Sequence, residues 1–75
     1  MNRAVLFKIE VDCLIQKNWS LWKRADQEHF ERSAVKNGVE MNYDPKYDEM
    51  TYTGAFASLF HFMYDVAYRY DIEIM

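Results

Sequence analysis

The sequence predicts an α+β domain of the ferredoxin-like type: strand, helix, strand, strand, helix, strand, with two helices packed on one face of a small antiparallel sheet. Three observations predict it. Apolar and charged residues alternate near both ends of the chain, the stretch from Thr53 to Tyr70 repeats apolar residues at steps of three and four, and turn-forming residues separate the segments between. Seventy-five residues make a single domain, 1–75, near the lower end of what folds without staples. Most apolar side chains therefore have to be buried.

The first strand is read from Phe7 to Cys13, where Phe7, Ile9, Val11 and Cys13 alternate with Lys8, Glu10 and Asp12. Such alternation marks a half-buried strand with one wet face. A polar helix follows, with Asn18 or Ser20 as its N-cap and Asn37-Gly38 as its stop. Its core face is either Trp22, Ala25, His29 and Ser33 or the overlapping Trp19, Trp22, Phe30 and Ala34, and Glu28 and Arg32 stand four apart as a solvent-side pair.

Val39, Met41 and Tyr43 then alternate with Glu40 and Asn42, Asp44-Pro45-Lys46 sets a type I turn, and Met50 and Tyr52 alternate with Glu49 and Thr51. This is a hairpin. Thr51 or Thr53 is expected to cap the second helix, whose core face is read as Phe56, Leu59, Phe60, Met63, Val66, Ala67 and Tyr70. A last strand runs from about Tyr70 to Ile74. Charge favours pairing it antiparallel to the first, since Lys8 then meets Glu73 and Asp12 meets Arg69, whereas the parallel choice sets like charges together.

Composition excludes more than it selects. A lone Cys13 forms no internal disulfide, the first residues do not read as a signal peptide, and no apolar run approaches the ~18 residues of a membrane span, so a soluble, cytoplasmic protein is expected. Residues 1–37 balance at +2 and residues 38–75 at −5, giving the net −3. That argues against general nucleic-acid binding, although an acidic half is also what a DNA mimic would present. Nor does the wet face of the first strand, Lys8, Glu10 and Asp12, offer the exposed aromatics on which an RRM-like sheet stacks bases.

His61 and Asp65, four apart on one helix, share the spacing of a ligand pair, but two ligands do not make a metal site and no spaced Cys/His cluster accompanies them. Cys13 falls on the apolar side of its strand, where a thiol is inert. No metal, cofactor or catalytic residue is expected. The stronger signal is a second stripe on the apolar helix: Ala57, His61, Tyr64 and Tyr68 beside the core face and Phe62 on the opposite flank. So many rings exceed what a small core absorbs, and aromatic surface with few charges is what protein-binding patches use. The hairpin tip, with Tyr43, Asp44, Tyr47, Asp48 and Glu49, adds an acidic, tyrosine-bearing candidate. These features lead to the expectation of a non-catalytic protein-binding module, such as a small phage or mobile-element inhibitor that covers a partner's surface. A homo-oligomer built on the same stripe is the alternative, and a nucleic-acid binder or DNA mimic comes third.

Overall fold

The alternating run from Phe7 to Cys13 does not form one strand. In the computed structural model, which describes residues 3–75, strand β1 spans Ala4–Ile9, the chain reverses through Glu10, Val11 and Asp12, and strand β2 spans Cys13–Lys17. Ile9 pairs with Leu14 and Phe7 with Gln16, and the Glu10 amide donates to the Cys13 carbonyl at 3.0 Å. The reversal pairs two short strands in place of one long one. A straight strand from Ala4 to Lys17 would reach about 46 Å at ~3.3 Å per residue, well beyond the molecule's 29 Å longest extent. Folding back keeps Val5, Phe7, Leu14 and Gln16 buried, while Val11, expected inside, stands at the tip fully exposed.

A 3-10 turn over Trp19–Leu21 leads into helix α1, Arg24–Lys36. Neither Asn18 nor Ser20 caps that helix: Asn18 takes a left-handed φ of 59° before the 3-10 turn, and Lys23 occupies the N-cap position. The core face is the second of the two expected stripes, with Trp19, Trp22, Phe30 and Ala34 buried and Ser33 beside them. Trp22 meets the edges of Phe30 and Tyr70 at centroid distances of 5.1 and 5.3 Å. Arg3 lies over the Trp22 ring at 4.1 Å. The stop is as expected: Gly38 takes φ +71°, open to glycine without strain, and the Val39 amide turns back to the Ala34 carbonyl at 2.8 Å. Arg32 and Glu28 form their surface pair at 3.9 Å.

Strands β3 (Glu40–Asp44) and β4 (Glu49–Thr53) form the expected hairpin, its turn held by the Lys46 amide donating to Asp44 Oδ1 at 2.9 Å. Helix α2 spans Phe56–Ala67 and strand β5 Asp71–Ile74. The N-cap of α2 is Ala55, which makes no side-chain capping bond; Thr51 and Thr53 belong to β4 instead.

The five strands make a mixed sheet in the order β3-β4-β2-β1-β5. This departs from the four-stranded antiparallel sheet that the sequence suggests, and the pairing of the chain's ends departs with it. β5 runs parallel to β1, with Val5 opposite Ile72 and Phe7 opposite Ile74. The cause is one of parity. β5 still runs opposite to β2, the strand that enters α1, but the hairpin inserts β1 between them and so reverses the neighbour. The expected charge pairs are replaced: Lys8 reaches Glu10 at 3.1 Å, and Leu6 stands opposite Glu73.

One core lies between the sheet and the two helices. Val5, Phe7, Leu14, Met50 and Tyr52 from the sheet meet Phe30, Ala34, Leu59, Phe62 and Val66 from the helices. Among the described residues Gln16 is the one buried polar side chain inside the sheet, and its Oε1 accepts from the Tyr52 hydroxyl. A buried amide needs such a partner, since an unmade bond costs about 1–3 kcal/mol. No helix is long and apolar enough to cross a membrane among the described residues.

Candidate protein-binding surface

Helix α2 is apolar on nearly every side, so its sequence does not dictate which side faces the sheet. Leu59, Phe62 and Val66, at steps of three and four, face the core. Phe62 lies at the centre of that face: fully buried, it tilts against Tyr52 at 4.4 Å and meets Phe7 at 6.3 Å between ring centroids. The expected face is thereby rotated by roughly 50° at 100° per residue. Phe62 moves from candidate contact to core, and Phe56, Phe60 and Ala67 move from core to surface.

The rotation leaves four aromatic side chains outside: Phe56, Phe60, Tyr64 and Tyr68. Their spacing of four sets them in one row along the helix. Phe56, 83 % exposed, stacks on Phe60 at 6.4 Å, and Phe60 meets Tyr64 edge-on at 5.1 Å. The first three rings thus form a continuous ridge, and Tyr68 follows in the same row at the helix C-cap. Phe56 and Phe60, with Leu59 and Met63, also wall a groove of about 240 Å³ whose other side is Ile9, Val11, Cys13 and Leu14 from the β1–β2 hairpin. That volume falls below the ~300–1,000 Å³ of small-molecule pockets but suits an inserted side chain. An exposed apolar row of this kind makes the helix a candidate surface for interaction.

Of the residues singled out in the sequence, Tyr64 and Tyr68 lie on this ridge, His61 is exposed on the same helix, and Phe62 does not contribute. Phe56 and Phe60 were missed as surface. The signal that could have found them is the unbroken step of four from Phe56 to Tyr68, which describes one row and not two faces.

Asp65 does not join His61. Its carboxylate crosses to α1, accepting from Asn37 Nδ2 at 2.8 Å and Ser33 Oγ at 3.3 Å, with Lys36 Nζ at 3.5 Å. The Asn37 bond first, and the Lys36 charge after it, hold the Asp65 carboxyl below its ordinary range. It is a brace between the helices. His29, facing the same junction, is held below the usual imidazole range by burial and then by the Arg69 and Arg32 charges. Among the described residues, no three His, Cys, Asp or Glu side chains gather as metal ligands. Burial, then the Asp12 and Glu10 charges, push the Cys13 thiol up, which keeps it protonated and opposes its use as a nucleophile.

The hairpin tip is likewise occupied with its own support. Asp48, at a left-handed φ of 53°, accepts from the Ser20 amide and hydroxyl at 3.0 and 2.7 Å and from the Tyr43 hydroxyl at 2.8 Å. The Ser20 bond leads in lowering the Asp48 carboxyl, and the same Asp48 contact raises the Tyr43 phenol. Glu49 pairs with Lys17, Asp44 holds the Lys46 amide, and only the exposed Tyr47 is left without such a task, with the Lys46 ammonium 5.2 Å from its ring. The tip lies at the Lys17–Glu49 end of the sheet, whereas the groove lies at the Cys13–Thr53 end. The two expected contact regions do not form one surface.

Comparison with protein-family models, with curated proteins and with solved structures gives no match in any of the three. The functional reading therefore rests on the surface itself.

Proposed function

We propose that the protein is a non-catalytic binding module that acts by covering a partner protein's surface with the ridge Phe56, Phe60, Tyr64 and Tyr68 and the adjoining groove. One observation carries this: a helix with its core side already filled keeps four aromatic side chains in a row outside. Fully burying a large apolar side chain is worth roughly 1.5–3 kcal/mol in area alone; Phe56 and Tyr68 keep most of that gain unused and Phe60 and Tyr64 about half of it, for association to collect. Covering a partner's working surface is how a small inhibitor acts, of the phage or mobile-element kind for example, and it needs none of the chain's polar groups to react. In the same reading the architecture is a ferredoxin-like arrangement whose first strand is doubled into a hairpin, and the free Cys13 suits a reducing cytoplasm.

The test is differential capture. Immobilised wild-type protein and the double variant Phe60→Ala, Tyr64→Ala are exposed to extract of the native host, and any protein held by the first and lost by the second is made recombinantly and titrated against both. The proposal expects at least one such protein and about a hundredfold loss of affinity in the variant, as for two interface anchors. Equal retention by a variant that stays folded would remove the ridge as a binding surface.

A further inference from the structure

Beside the ridge, the sheet ends in an open edge. Among the described residues β5 is the outermost strand and pairs with β1 alone. The Asp71 amide donates to the Arg3 carbonyl at 3.2 Å and the Met75 amide to the Phe7 carbonyl at 2.9 Å. Backbone groups point to alternate sides along a strand, so the N–H and C=O groups of Ile72 and Ile74 point away from β1. Side chains alternate too: Ile72 and Ile74 stand opposite Val5 and Phe7 on the helix-covered face, and Asp71 and Glu73 stand opposite Ala4 and Leu6 on the other. On the covered face Ile72 shares a hollow with Phe60, Met63, Tyr64 and Ala67. Helix α2 overhangs the edge, and its apolar flank roofs a place where no strand stands. On the other face, Asp71 and Glu73 form no ion pair among the described residues.

From this juxtaposition we infer that β5 is extended by a strand from a different protein, a segment in which apolar residues alternate with Lys or Arg. Its backbone bonds to Ile72 and Ile74, its apolar side chains enter the hollow under Phe60 and Tyr64, and its cations lie beside Asp71 and Glu73. This rests on the ridge being a binding surface and names what it binds. A second copy of the chain does not fit. Its two free edges carry Glu40 and Asp44 on β3 and Asp71 and Glu73 on β5, so either edge would set acid against acid. Addition of a strand to an open edge draws affinity from the main chain and specificity from alternate side chains, and here both determinants are present.

The probe is a synthetic peptide of about ten residues alternating Val and Lys, with a Val and Glu peptide as control. The Lys peptide is expected to bind and to slow hydrogen exchange at the Ile72 and Ile74 amides. Ile74→Pro removes one outward donor without touching the β1 ladder and should weaken binding about three- to tenfold. Asp71→Lys with Glu73→Lys should exchange the preference for the Glu peptide. No binding of the Lys peptide up to about 1 mM, equal binding of both peptides, or binding without protection of those two amides would each overturn the inference. Capture of a host partner that requires Phe60 and Tyr64 yet survives Ile74→Pro at full strength would overturn strand addition while leaving the ridge intact. Capture indifferent to all these changes would overturn both.

Discussion

Phe62 and Phe60 sit two residues apart on one helix and meet opposite fates. Phe62 is fully buried between Tyr52 and Phe7, whereas Phe60 is half exposed between Phe56 and Tyr64. At 100° per residue the two rings leave the helix about 160° apart, so no single sheet can cover both. The chemistry of the residues is identical and only the geometry of the neighbours decides between them. A helix that is apolar on both sides therefore serves two surfaces: one binds the domain together, and the other is available to something else.

The sharpest way to break this comparison is to truncate the inner ring. Phe62→Ala should cost about 3–5 kcal/mol, because it removes buried area and leaves a cavity between sheet and helix; urea unfolding reads the loss directly, and a cost under about 1 kcal/mol would contradict the inner assignment. Tyr52→Phe comes next. It strips Gln16 of its buried partner without changing the packing of the ring, and about 1–3 kcal/mol is expected in the same assay.

The inner region also has a pH signature. Burial first, and the hydrogen bond to Asp26 at 2.5 Å after it, push the Tyr70 phenol up to about 12 from its ordinary 10.0. A phenol with a raised pKa stays protonated longer in the folded chain than in the unfolded one. Its contribution is complete below pH ~10 and disappears as pH rises to about 12. Stability should decline across that window, and Tyr70→Phe should flatten the part of the decline that Tyr70 causes. The smallest effect is expected outside: Phe60→Ala removes a ring that is half exposed and should cost about 1 kcal/mol. That contrast with Phe62→Ala is the comparison in its simplest form.

Much of the fold was legible because some signals are local. Asn37-Gly38 ends α1 and Asp44-Pro45 turns the hairpin, since glycine and proline act through their own backbone and need no distant partner. The β1–β2 turn was hidden for the opposite reason. Glu10, Val11 and Asp12 contain no glycine, proline or asparagine, and Asp12, the one turn-favouring residue, fills a charged position of an alternation that continues without a break. What fixes the reversal is the pairing of Phe7 with Gln16 and Ile9 with Leu14, which no local residue announces. The direction of β5 was lost with that turn, because inserting one antiparallel strand inverts what lies beside it. The candidate site was half legible. Tyr64 and Tyr68 could be read because tyrosine signals an amphipathic surface, whereas Phe56, Phe60 and Phe62 are the same residue type, and only the step of four that joins Phe56 and Phe60 to Tyr64 separates the two outside from the one inside.

The five phenylalanines provide the most direct measurement. Protein labelled uniformly with fluorophenylalanine gives one fluorine resonance per ring, assigned by single substitutions, and a soluble paramagnetic agent broadens those that water reaches. Broadening is expected at Phe56 and Phe60, and none at Phe7, Phe30 or Phe62. Shielding of all five in dilute monomeric protein, or broadening at Phe62 in place of Phe60, would contradict this.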